Sequence, residues 1–87
     1  SMDKGLIGMA NSANISLSAL RDGQQARVAA LHLSGGMRRR VQDLGLVPGT
    51  RVTCVRRALS GDPIAYWIRG AVVALRKCDA AQIEVQP

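Results

Sequence analysis

The residues able to ligate a metal or move a proton are few. His32, Cys54 and Cys78 are the soft and imidazole groups, with Asp43, Asp79 and Glu84 as candidate oxygen donors. No pair has a Cys-x-x-Cys or His-x-x-x-His spacing, which would set two ligands together without help from the rest of the fold. No metal site is therefore expected. Catalysis fails on the same inventory. One histidine, no nucleophile elbow and no glycine-rich phosphate loop ahead of a helix leave no reacting group. Gly35-Gly36 could bind an anion at a helix start, but a turn explains two glycines there more simply. The chain reads as a non-enzyme with no cofactor.

What remains is surface. The net charge is +6, from twelve basic residues against six acidic ones. Nucleic acid, an anionic membrane surface or an acidic protein face would each suit that balance. Arg38, Arg39 and Arg40 are consecutive, so on a helix they fan over about 200° and form no single row. Arg51, Arg56, Arg57 and Arg69 add charge along the strands. The plain reading is a solvated basic surface. The functional reading is an acidic partner, for which charge speeds encounter and fixes register. Nucleic acid fits less well, because Tyr66 and Trp67 are adjacent, lie on opposite strand faces and make no stacking row. The same shortage of aromatics argues against a reader of proline-rich peptides.

Trp67 is the sharpest single signal. Ile64, Tyr66 and Ile68 alternate with Ala65, Trp67 and Arg69, the clearest period-two pattern in the chain. Tyr66 belongs with the core set, so Trp67 points outward, either into a partner patch or into a half-buried packing role. Val72, across Gly70, falls on the same face. With Leu59 and Arg38, Arg39 and Arg40, these residues form the candidate partner surface. Weak self-association through it is a further expectation.

The elements that must position this surface centre on Ser34 to Val52. Met37, Val41 and Leu44 share one face of a short helix. Ser34 can supply an N-cap oxygen and Gly45 a residue at positive φ. Leu46, just past that glycine, can fold back on Val41. Val47-Pro48-Gly49-Thr50 has proline and glycine at the centre of a type II turn. About ten residues of helix are unstable alone, so the helix must cover a sheet. Strands are expected from Ala26 to Leu33 and from Thr50 to Arg57, with Val52 and Cys54 on one face. The pattern continues from Ile64 to Arg69, then through Val73 and Leu75, with a closing strand at Ile83 and Val85. Ala58 to Pro63 is a hairpin loop and Lys77 to Ala81 one helical turn. The fold class is all-β with one short helix, a small five-stranded barrel.

At 87 residues the chain allows one modest core. With no Phe, one Trp and one Tyr, that core must be aliphatic. Residues 1–14 are expected to form a disordered tail, with Ser1 before Met2 as a cloning scar, and order is expected from 15 to 87. No apolar run is long enough to span a bilayer, and no signal peptide is apparent. Two cysteines without an export signal suggest free thiols in a reducing, cytoplasmic compartment.

Taken in order, Leu17-Ser18-Ala19-Leu20, Leu44-Gly45-Leu46-Val47-Pro48-Gly49, Gly61-Asp62-Pro63-Ile64, Ala74-Leu75-Arg76 and Ile83-Glu84-Val85 resemble the FeoA family. The resemblance covers about Ile15 to Val85. It implies an SH3-like barrel in which Leu44, Gly45, Leu46, Pro48, Gly49, Gly61, Asp62 and Pro63 are structural. It also implies a cytosolic accessory of bacterial ferrous iron uptake, docking on the GTP-binding domain of the FeoB transporter. A small nucleic-acid module and an iron or zinc carrier are the alternatives. Trp67, Val72 and Cys78 depart from the polar or acidic residues such proteins usually carry there.

Overall fold

The computed structural model describes residues 14–87. In chain order the elements are β1 (Ile15–Ser16), a 3-10 turn (Leu17–Ala19), β2 (Gln25–Leu31), α1 (Gly35–Asp43), β3 (Arg51–Arg57), β4 (Ile64–Ile68), β5 (Ala71–Leu75), α2 (Lys77–Ala80) and β6 (Ile83–Gln86). The strands join in one sheet, ordered β1-β6-β2-β3-β4-β5, and every pairing is antiparallel. Six strands stand where five were expected. The extra one, β1, is two residues long, too short to show a period, and exists only by pairing Ile15 with Val85 and Ser16 with Glu84. The expected tail lies, apart from Asn14, outside the described residues. No described helix is long and apolar enough to cross a membrane.

The sheet wraps an aliphatic core. Val52, Ile64, Tyr66, Ile68, Ile83 and Val85 point inward from the strands, and Leu17 and Leu20 plug one end. Helix α1 covers another side through buried Val41, with Met37 and Leu44 packed against the same cluster. Among the described residues Tyr66 carries the one hydroxyl deep inside, and it donates to the Leu17 carbonyl at 3.1 Å. A buried hydroxyl left unpaired would cost about 1–3 kcal/mol.

The end of α1 follows the sequence closely. Gly45 has φ +101°; its N–H donates to the Gln42 carbonyl at 2.9 Å, and the Leu46 N–H donates to the Val41 carbonyl at 2.9 Å. Those two bonds make a Schellman stop. Leu46 and Val41, both fully buried, supply its apolar contact. The turn after it closes from the Thr50 N–H to the Val47 carbonyl at 3.0 Å, with Gly49 at φ +95°. The start of α1 differs from expectation. Ser34 has the extended backbone of an N-cap, yet its hydroxyl makes no capping bond.

Gly45 is constrained twice. A Cβ there would stand 2.6 Å from Cδ of Arg69, whose side chain crosses the end of α1. The arginine can swing aside, so the backbone conformation dominates the cost. Gly45→Ala is expected to lose about 1–2 kcal/mol of stability, read as an earlier urea midpoint with an unchanged slope.

Two bulges redirect side chains. On β2 the register shifts between Val28 and Ala30, so burial passes from Ala26 and Val28 to Leu31 and Leu33. On β3 it shifts between Cys54 and Arg56, and Val55 is left exposed. Strict alternation would put Arg56 with Val52 and Cys54. Instead Arg56 faces out opposite Ala65, and Arg57 pairs with Ile64, re-aimed by one inserted residue.

Candidate interaction surface

The outer face of β3-β4-β5 gathers Trp67, Val72 and Leu59, three of the six expected surface residues. Arg69 and Gly70, at φ 47° and 84°, form the two-residue turn between β4 and β5. Both positive angles match a type I′ turn, whose twist suits a tight hairpin. The register then sets Trp67 directly opposite Val72. Trp67 is 48% exposed and Val72 59% exposed. Thr53 lies on the other side of Trp67, so a Thr53–Trp67–Val72 row crosses three strands. The next outward row is Arg56–Ala65–Ala74. Leu59, fully exposed at the hairpin tip, shares a shallow groove with Arg56, Ala58, Pro63, Ala65 and Ala74. Three exposed apolar residues from two successive hairpins thus stand on one connected face.

The hairpin that carries Leu59 is well held. Gly61, at φ +88°, donates its N–H to the Ala58 carbonyl at 2.7 Å, and the Ala58 N–H reaches the Pro63 carbonyl at 3.0 Å. Asp62 Oδ1 accepts the Lys77 N–H at 2.9 Å, which ties the loop to the start of α2.

The arginine run splits. Arg38 Nη1 donates to the Leu31 carbonyl at 2.8 Å, holding α1 to the end of β2. Arg40 lines a depression beside Met37, Ala74, Leu75, Arg76 and Asp79, so it borders the β5 side of the face. Arg39 is exposed to solvent. Arg57 has a structural task that the sequence did not signal. Its Nη2 donates to the carbonyls of Ser18 at 2.6 Å and Leu20 at 3.0 Å, closing the barrel end. Among the described residues no arginine is ion-paired; the one contact between a carboxylate and a basic side chain is that of Glu84 with His32.

That contact lies at the other end of the sheet. His32 Nε2 and Glu84 Oε1 are 3.0 Å apart, and Asn14 Nδ2 donates to Glu84 Oε2 at 2.7 Å. They line an open depression with Ile15, Ser16 and Ala81. Both were candidate ligands, but 52 residues separate them, and only the β2 bulge and the β2-β6 pairing bring them together. Among the described residues no three His, Cys, Asp or Glu side chains converge. The bonds from His32 and then Asn14 hold the Glu84 carboxyl below its usual value, against a small opposing effect of desolvation. A depressed carboxyl stabilises the fold above its unfolded pKa, near 4.5, and loses that contribution as pH falls through the folded value. Glu84→Gln should lower the melting temperature slightly at neutral pH, converge with wild type in acid, and so flatten the acid limb below about pH 4.5. Melts across that range check it.

The cysteines differ sharply. Cys54 is buried and Cys78 exposed. Burial first, and then the Asp22 charge, push the Cys54 thiol up, with Arg57 opposing. A neutral thiol in the core is a poor nucleophile. Iodoacetamide on the folded protein should label Cys78 alone, and both thiols in denaturant. A folded protein that takes two labels would contradict this placement. Burial and then Cys54 raise the Tyr66 phenol far above its ordinary value, against an opposing effect of Arg57, so Tyr66 stays neutral and serves packing.

The surface therefore offers an aromatic–aliphatic ridge with cationic borders. Such a face can dock a partner. The FeoA domain family matches residues 15–87. The chain is 40% identical over 70 residues to the Fe(2+) transport protein A/Fe(2+) transporter FeoB fusion protein of Porphyromonas gingivalis. That stretch is 80% of this chain, which spans only 8% of the fusion protein's length. A FeoA-like protein of Clostridium acetobutylicum solved by NMR superposes with a TM-score of 0.77 at 32% identity, covering 85% of this chain and 86% of that one. FeoA of Stenotrophomonas maltophilia, a prokaryotic SH3 domain protein crystallised with zinc, gives 0.73 at 28% identity, covering 83% and 89%.

Proposed function

This chain belongs to the FeoA domain family, and from that premise we propose that it is a non-catalytic accessory of ferrous iron uptake. It acts in the cytoplasm by docking on the GTP-binding domain of a FeoB-type transporter. The observation that carries this reading is the Trp67–Val72 pair, apolar, cross-strand and uncovered, on a face bordered by Arg56 and Arg40. Tryptophan is enriched among residues that dominate binding energy, and a charged rim favours encounter with an acidic partner. The relative that carries FeoA and FeoB in one polypeptide supports the choice of partner, since fusion holds two domains at high effective concentration.

The mechanism is a shift of conformational populations. The adaptor adds no reacting group; it favours whichever transporter conformation presents the complementary face, by as much as its affinities for the two conformations differ. That preference is how GTP hydrolysis and transport would be modulated.

A pull-down of the transporter's cytosolic domain with and without guanine nucleotide tests the reading. The wild-type chain should retain the domain, more in one nucleotide state than the other. Trp67→Ala should lose it, and Arg39→Glu should weaken it in a salt-dependent way. Equal capture by wild type and Trp67→Ala would remove the face from consideration.

A further inference from the structure

Among the described residues strand β5 ends the sheet and pairs only with β4. Its hydrogen-bonding pattern follows from the two-residue turn before it. Ile68 and Ala71 flank that turn and form a hydrogen-bonded pair, so Ala71, Val73 and Leu75 turn their main-chain groups towards β4. Val72 and Ala74 then turn theirs away from the sheet, and among the described residues no backbone hydrogen bond satisfies them. The strand reads Ala-Val-Val-Ala-Leu. It has no proline, no charge and no register shift, the usual protections of an open edge. Cations stand at both ends, Arg69 before it with its side chain over the end of α1, and Arg76 and Lys77 after it; Arg40 of α1 and Arg56 flank Ala74. Asp79 is the one carboxylate in that depression.

We infer that the open edge of β5 accepts an extended apolar peptide, bracketed by acidic residues, as a seventh strand. The inference takes its partner, a segment of the transporter, from the docking reading above. A second copy of this chain fits poorly. Antiparallel pairing of two β5 strands about Val73 sets Arg69 opposite Lys77 and Gly70 opposite Arg76, placing cations together at both ends, and like charges across a strand pair are destabilising. A segment with carboxylates at both ends turns the same cations into attraction. The added strand also runs beside the exposed side chains of Val72 and Ala74, so apolar residues on it extend the Trp67 face.

The test titrates the full chain with the synthetic peptide Glu-Glu-Val-Thr-Val-Thr-Val-Glu-Glu, following fluorescence of the single tryptophan and amide exchange. Slowed exchange at Val72 and Ala74 is expected, with weaker binding as salt rises. The same peptide with lysines for glutamates should bind at least about tenfold more weakly. Ala74→Pro removes one outward N–H that the protein's own sheet does not use, and should weaken the acidic peptide by about tenfold or more while the fold persists. Arg76→Glu with Lys77→Glu should favour the lysine peptide. Equal binding of the two peptides, or binding without protection at Val72 and Ala74, would overturn the inference. So would protection of those amides by rising protein concentration alone, or by phosphatidylserine vesicles without peptide. If the transporter domain binds wild type and Ala74→Pro equally, the edge is wrong and docking stands; if it binds neither while the acidic peptide behaves as expected, docking is wrong and the edge stands.

Discussion

Leu46→Ala is expected to remove about 3 kcal/mol of stability, within the 2–5 kcal/mol range of buried leucine truncations. Leu46 is fully buried, and its main chain also completes the stop of α1 by donating to the Val41 carbonyl. Truncation leaves the main-chain bonds in place and empties the space where Leu46 meets Val41. The helix is nine residues long, too short to persist without that packing. Against a total of about 5–15 kcal/mol for a small domain, such a loss is severe. Urea unfolding with an unchanged slope measures it. A loss below about 1 kcal/mol would mean that α1 is attached to the sheet by something other than this contact.

Trp67→Ala should behave in the opposite way. Stability should move by no more than about 0.5 kcal/mol, as expected for a substitution on an outer face. Affinity for the transporter's cytosolic domain should fall by about thirtyfold, or about 2 kcal/mol, the threshold of a binding hot spot. Titration calorimetry paired with a melting curve separates the two effects. A large drop in melting temperature with little change in affinity would assign Trp67 to packing.

These two residues also show where the sequence was legible. Leu46, Gly45 and the Pro48-Gly49 turn are written in local chemistry: a left-handed backbone needs glycine, and the apolar contact of a helix stop lies a fixed number of residues away. Trp67 was legible because β4 keeps strict alternation and turns Tyr66 inward. Arg56 and Arg57 were not, because the bulge at Val55 shifts the face of every later residue in that strand. The same effect on β2 hid the meeting of His32 with Glu84. Arg38 and Arg57 read as free surface charge, yet each guanidinium donates to carbonyls of a distant segment, and no sequence period reports a hydrogen bond between distant segments. Strand β1, two residues long, depends wholly on β6 for its existence.

The proposed docking face is the outer surface of β3-β4-β5, where a FeoB-type transporter would meet this chain. A titration of the isotopically labelled protein with the cytosolic GTP-binding domain, followed by amide chemical shifts, tests it most directly. Changes should concentrate at Thr53, Ala65, Trp67, Val72 and Ala74, with His32 and Glu84 unmoved. Changes centred instead on His32, Glu84 and the β1-β6 end would contradict it.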